Sequence, residues 1–128
     1  RGELVSLSDF TGQPVVLNFW YPSCPPCRLE IPHIEEVFRR HKADGVQFIG
    51  IQIPSFDTVE DGQEFIDGQG VTYPVLIDPD FKVGLAYKMI VPPHTVFIDK
   101  DHEIARIWSG VLTLEKIEDL LQEHGLVP

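Results

Sequence analysis

Phe19-Trp20-Tyr21-Pro22-Ser23-Cys24-Pro25-Pro26-Cys27 contains both cysteines of the 128-residue chain, separated by two prolines. Leading into it, Val15, Val16, Leu17, Asn18, Phe19 and Trp20 form an apolar run that reads as a buried parallel strand. From Pro25 onward the hydrophobic period is that of an amphipathic helix, the crossover that follows such a strand. The pair therefore sits where a strand hands over to a helix. A sulfur at a helix N-terminus feels unpaired N–H groups and the positive end of the macrodipole, which favour thiolate over thiol. The pattern is that of a redox couple, with Cys24 as the attacking sulfur.

At about 100 degrees per residue, Cys27, Ile31, Ile34, Val37, Phe38 and His41 share one arc of the helix, and Arg28, Glu35, Glu36, Arg39 and Arg40 fall outside it. Cys27 is thus expected on the core side and Cys24 at the solvent mouth, so that Cys24 attacks a partner disulfide and Cys27 resolves the mixed disulfide. A zinc half-site would need a second C-x-x-C or a histidine pair at finger spacing, and neither is present. Pro25 and Pro26 suit the first helical turn, where an N–H would be unpaired in any case. They also remove two donors from the vicinity of the thiolate, which predicts a thiol less acidic than in the strongest oxidants. Glu30 lies inside the apolar arc between Val37 and Ile34. Burial raises a carboxyl pKa and would suit Glu30 to exchange a proton with Cys27; the alternative is an acid serving the helix dipole. Asn18, the one polar residue of the strand, reads as a hydrogen-bonded core amide.

Further along, Pro32 interrupts the helical pattern, which is expected to kink and continue. After a helix end near Gly45 the chain predicts a strand from Val46 to Ile53. A helix from about Thr58 to Asp67 follows, with a Thr58/Asp61 capping box and Gly68 as its stop. Next come a strand from Val75 to Ile77 and a helix to about Tyr87, opened by Asp78-Pro79. Strands Thr95 to Ile98 and Ile104 to Trp108 make a hairpin across Asp99-Lys100-Asp101-His102. The last helix starts at Thr113, buries Leu114, Ile117, Leu120 and Leu121, and stops at Gly125. Pro92-Pro93 immediately precedes a strand-like run, a place suited to a cis X-Pro bond.

With 43% hydrophobic residues, the chain is expected to form one domain over residues 1–128. Net charge −10 and a pI near 4.7 argue against nucleic acid or anionic lipid as a partner. No apolar run approaches the roughly 20 residues of a membrane span. The first residue is Arg1, so a preceding segment is expected to have been trimmed. Of the five histidines, His33, His41, His102 and His124 read as surface residues, and only His94, beside Pro93, could approach the sulfurs.

These segments, from Val5 through Trp20, from Cys24 through Pro32 and from Pro93 through Asp99, resemble the thioredoxin superfamily over nearly the whole chain. More narrowly they resemble the TlpA/ResA-like branch of extracytoplasmic thiol-disulfide oxidoreductases. The resemblance implies an α/β thioredoxin-like fold, a central mixed sheet flanked by helices, with an extra helix and strand between Thr58 and Ile77 and an N-terminal extension. It implies that Cys24 is the nucleophile, Cys27 the resolving thiol, Glu30 the active-site acid and Pro93 a cis-proline facing the disulfide. Trp20, Tyr21, Pro92, Pro93 and His94 are then expected at the client-binding surface. It also accounts for Asn18, because the branch with asparagine at that position uses the helix glutamate where thioredoxins proper use a buried aspartate. Ser23, His94 and Pro92 depart from the usual residues of the branch.

The activity implied is reductive: a monomer outside the cytoplasm, either free or anchored to the membrane through a preceding segment, that keeps client cysteines reduced, as in cytochrome c maturation. A membrane electron donor would recharge it, with no cofactor beyond the Cys24–Cys27 disulfide and no metal. Peroxiredoxins share the fold, but they require Thr or Ser three residues before the reactive cysteine, where Cys24 has Tyr21. A copper-delivery module using Cys24, Cys27 and His94 is the alternative from another class, weakened by the two-residue cysteine spacing.

Overall fold

A computed structural model describes residues 7–10 and 12–128. The chain ahead of the sheet is seen as one 3-10 turn, Leu7–Phe10. Residues 1–6 of the expected N-terminal extension lie outside the described residues. Five strands, β1 (Val15–Trp20), β2 (Gln47–Gln52), β3 (Val75–Ile77), β4 (His94–Ile98) and β5 (Ile104–Ser109), form one sheet in the order β3-β2-β1-β4-β5. The helices are α1 (Pro25–His41), α2 (Val59–Gln69), α3 (Lys82–Ala86) and α4 (Leu114–Glu123).

β1 runs parallel to β2 and β2 parallel to β3, while β4 is antiparallel to both β1 and β5. The two parallel crossovers step in the same direction across the sheet. Right-handed connections therefore place α1 and α2 on the same face, and Ile31, Val37, Phe65 and Ile66 share one core there with Val16, Trp20, Phe48 and Phe97. α4 completes that layer through Ile117, Leu120 and Leu121. On the other face Val15, Leu17, Phe19, Ile49 and Val96 are covered by Phe10, Phe81, Tyr87 and Met89. All six residues of β1 are buried, as a strand covered on both faces must be.

The inserted helix and strand stand where the sequence puts them, and the Thr58/Asp61 capping box forms. Three boundaries differ. α2 runs through Gly68 and ends at Gly70, whose φ of 68° supplies the left-handed stop. α3 begins at Lys82, not at Pro79, because Asp78 acts from a distance: its carboxylate accepts from Val83 N at 3.2 Å and Gly84 N at 2.8 Å. α1 ends at His41, and a 3-10 turn, Lys42–Asp44, carries the chain to Gly45.

The architecture gathers the chemistry at one end of the sheet. β1 and β2 finish there, β4 starts there and β5 ends there. The connections at that end carry Tyr21 to Cys24, residues 53–58, residues 90–93 and residues 110–113.

Candidate active site

Cys24 is the N-cap of α1 and Cys27 lies in its first turn; the two are joined as a disulfide with a Cα–Cα distance of 5.2 Å. The Cys24 Sγ accepts a hydrogen bond from Cys27 N at 3.3 Å. Pro25 and Pro26 at the first two helical positions contribute no N–H. The expected difference in exposure is absent: both cysteines are about 1% exposed. The disulfide is recessed into the core layer under α1, so what separates the two sulfurs is the N-cap position of Cys24, not its access to solvent.

Glu30, one helical turn after Cys27 and on the same face, is 0% exposed. Its carboxylate accepts from Asn18 Nδ2 at 2.6 Å and from Leu112 N at 2.7 Å. Burial pushes its pKa up to about 7, against the opposing pull of the Leu112 and Asn18 hydrogen bonds. A carboxyl poised there changes protonation near neutral pH, as a proton carrier for thiol chemistry requires. Asn18 also donates to Thr95 Oγ1 at 3.2 Å, while its own buried Oδ1 has no hydrogen-bond partner among the described residues. A half-turn of that amide sets the free acceptor against a protonated Glu30, so asparagine serves both protonation states of the acid where an aspartate would add a second charge.

Pro93 is buried, Pro92 is half-buried, and the bond between them is cis. The Pro93 carbonyl accepts from Gly110 N at 2.9 Å. Gly110, at φ 104°, makes the turn that then directs Leu112 N onto Glu30. Tyr21 is half-buried and packs against both core layers.

Two residues expected at the client surface lie elsewhere. Trp20 is buried and packs on Phe65 at 5.8 Å between ring centres, so it supports the site from beneath. His94 pairs with Phe19 in register, and that places its ring on the face of the sheet opposite the disulfide, 5.9 Å from the Phe19 ring. It contacts the Tyr87 carbonyl and Ser109 Oγ there, and burial lowers its pKa against the pull of that carbonyl. The ligand set Cys24, Cys27 and His94 is therefore not assembled. Leu112 and Thr95 were not legible as site residues. Leu112 acts through its main chain, and Thr95 is recognisable only once the register opposite Asn18 is known.

The active-site loop is held from two sides. Arg28 Nη1 donates to the Pro22 carbonyl at 2.7 Å, and its guanidinium lies 4.3 Å over the Phe65 ring. Asp57, on the connection into α2, accepts from Ser23 N at 3.0 Å and Ser23 Oγ at 2.8 Å. Exposed Phe56, Ile90, Val91 and Val111 stand on the connections at this end of the sheet.

The sequence matches the AhpC/TSA family over residues 1–107. It is 32% identical over 122 residues to the thiol-disulfide oxidoreductase ResA of Halalkalibacterium halodurans, covering 95% of this chain and 68% of that one. To ResA of Oceanobacillus iheyensis it is 36% identical over 119 residues, covering 93% and 61% respectively. Among solved structures it resembles a secreted thiol-disulfide isomerase of Corynebacterium glutamicum. The TM-score is 0.85 and the identity 29%, over 96% of this chain and 77% of that one.

Proposed function

The chain belongs to the AhpC/TSA family and is a ResA-like thiol-disulfide oxidoreductase of the thioredoxin superfamily, and from that premise we propose that it works as a reductant outside the cytoplasm. Its client is a protein whose cysteines must be kept reduced, as for haem attachment in cytochrome c maturation. A membrane electron donor restores the dithiol. The secreted Corynebacterium relative supports the location.

The observation that carries the direction of flow is the poverty of donors around Cys24. Its sulfur has the single N–H of Cys27, at 3.3 Å, behind two prolines. A thiolate so weakly supported stabilises the reduced form little, and the couple favours the disulfide, which is the property of a reductant. In the reaction the Cys24 thiolate attacks a client disulfide, forming one S–S bond as the client's breaks. Cys27 then gives up its proton to Glu30 and attacks Cys24, releasing the second client sulfur. Two electrons pass to the client, whose two sulfurs leave as thiolates and take up one proton from Glu30 and one from solvent, and the Cys24–Cys27 disulfide remains. The exposed Phe56, Ile90, Val91 and Val111 would receive the apolar flanks of the client segment.

Equilibration with thiol redox buffers tests this reading. The potential is expected near the thioredoxin end of the range, about −270 mV, and a value near the −120 mV of the strongest oxidants overturns the reductive role.

A further inference from the structure

The Asp57 carboxylate is the most heavily engaged acceptor at the mouth of the site, yet it lies on the connection into the inserted α2 and not on the strand and helix that carry the cysteines. One oxygen, Oδ2, accepts from Ser23 N at 3.0 Å, from Ser23 Oγ at 2.8 Å and from Ser55 Oγ at 3.1 Å. Ser23 immediately precedes Cys24, so this anion is fixed one residue from the N-cap sulfur. The anchor is built from both sides. Ser55 Oγ accepts from Asp57 N at 3.1 Å, folding the loop around the carboxylate, and the next residue, Thr58, starts α2 through its capping box. Desolvation pulls the Asp57 pKa up, but the Ser23 amide and hydroxyl, the Ser55 hydroxyl and the Arg28 charge together carry it below the ordinary carboxylate value. The group is therefore an anion throughout the range in which thiols titrate.

We propose that Asp57 is a positioning residue for Cys24, whose fixed negative charge opposes thiolate formation at the neighbouring sulfur and so drives the couple toward reducing potentials. The inference rests on the reductant reading above and adds the source of its poise. The other charges that face this region are Arg28 from α1, Asp61 and Glu64 from α2, and the buried Glu30. Arg28 is the sole cation among these, and it is directed at the Pro22 carbonyl and the Phe65 ring. Asp61 is spent on Thr58 N at 2.9 Å. Of the acids, Asp57 alone bonds the segment that carries the nucleophile. The balance of the reaction shows why the charge matters. Reduction of the disulfide adds two electrons and yields thiol or thiolate, so a carboxylate that disfavours thiolate leaves the neutral disulfide untouched and raises only the energy of the reduced state.

Asp57→Asn keeps an acceptor oxygen for Ser23 and removes the charge. In reduced protein at low salt, the midpoint of Cys24 alkylation against pH should fall by about half a unit, roughly a threefold rise in acidity for a surface charge at this range. Above both midpoints the potential should move in the oxidising direction by the same factor, about 14 mV at 29.6 mV per tenfold. Both shifts should shrink in 1 M salt, where screening acts over about 3 Å. Ser23→Ala, which keeps the charge and the Ser23 amide bond, should retain most of the wild-type midpoint. A role in loop stability alone would lower the unfolding midpoint of Asp57→Asn and leave the alkylation curve in place. Superimposable alkylation curves for wild type and Asp57→Asn at low salt, or a shift upward, overturn the proposal whatever the wild-type potential. A strongly oxidising wild-type potential overturns the reductant reading whatever the variant does.

Discussion

Two glutamates of α1, five residues apart and both buried, are held in opposite ways. Glu35, 5% exposed, faces the guanidinium of Arg39 at 2.6 Å and accepts from Thr72 N at 2.8 Å and Thr72 Oγ1 at 2.6 Å. It fastens the helix to the connection between α2 and β3. Glu30 receives only the neutral donors Asn18 and Leu112 N, and its pKa rises to about 7 because desolvation outweighs those bonds. A carboxylate with a cation and a full set of donors is a fastener; one buried without a cation is a group that moves a proton. The difference lies in the partners brought by distant segments, and it separates structure from chemistry on a single helix.

That contrast has meaning only if the sulfurs do the chemistry, so the largest expected effect is on Cys24. Cys24→Ser should abolish disulfide exchange, and Cys27→Ser should accumulate a mixed disulfide with a client through Cys24. Non-reducing gels of the two variants incubated with a disulfide-bonded client decide it. Equal trapping by both would dissolve the division between the sulfurs and, with it, the reason for a proton carrier behind Cys27.

The next effect is the strongest test of Glu30 itself. A folded pKa of about 7 against 4.5 for the free group means that its contribution to stability is complete below about pH 4.5 and is lost as pH rises through 7. At 1.36 kcal/mol per unit the loss amounts to roughly 3 kcal/mol. Glu30→Gln cannot ionise, and the free Oδ1 of Asn18 can turn to meet its amide. The variant should therefore be more stable than wild type at pH 8 by up to that amount, with little difference at pH 4, while its exchange slows and its thiol pH profile changes. Denaturation by urea at the two pH values, with alkylation of Cys24 alongside, measures both. A wild-type stability that is flat across this window removes Glu30 from the mechanism.

Glu35→Gln should behave in the reverse sense. It weakens the contact with Arg39, whose side chain is 59% exposed, and turns an amide donor toward a Thr72 donor. The cost expected is about 1 to 3 kcal/mol, most of it from the unsatisfied buried bonds and not from the partly exposed ion pair. The pH profile of Cys24 should be unchanged. A displaced profile would break the separation of roles between the two acids.

The sequence made one glutamate legible and not the other, for a physical reason. Glu30 stood out because it interrupts an apolar arc whose burial follows from the helix alone. Glu35 lies off that arc and is covered only because Thr72 returns from another crossover, a contact that periodicity does not contain. The strand, the C-x-x-C helix, the inserted α2 and β3 and the hairpin were readable because each carries its own period and caps. The fine structure of the site was less so. His94 was placed near the sulfurs by its neighbour Pro93, but strand alternation turns it to the far face and brings Thr95 to Asn18 instead. Cys24 was expected to be open because it precedes the helix, whereas its exposure depends on what the surrounding loops cover. Leu112 offers a main-chain donor, which no side-chain pattern announces.

The smallest effect expected lies at the far end of α1, where a carboxylate is given a partner that itself titrates. His41, in the last turn, bonds Asp44 through Nδ1 at 2.8 Å and Glu118 of α4 through Nε2, and Arg40 reaches the same Glu118 at 3.5 Å. Desolvation lowers the His41 pKa, but the bonds and charges of Asp44 and Glu118 outweigh it and the net shift is upward. The stabilisation it supplies is then complete below the ordinary histidine value of about 6.5 and is lost as pH rises through the raised one. A partly exposed cluster of this kind, at a helix C-terminus that favours a cation, is worth about 1 kcal/mol or less. His41→Gln should accordingly lower stability at pH 6 by that amount and match wild type once the histidine is neutral, with Cys24 alkylation unaffected. Urea midpoints of the two proteins from pH 5.5 to 9 provide the test. A gap that widens with pH would mean that the neutral imidazole holds α1 to α4, and that this end of the helix is fastened by packing and not by paired carboxylates.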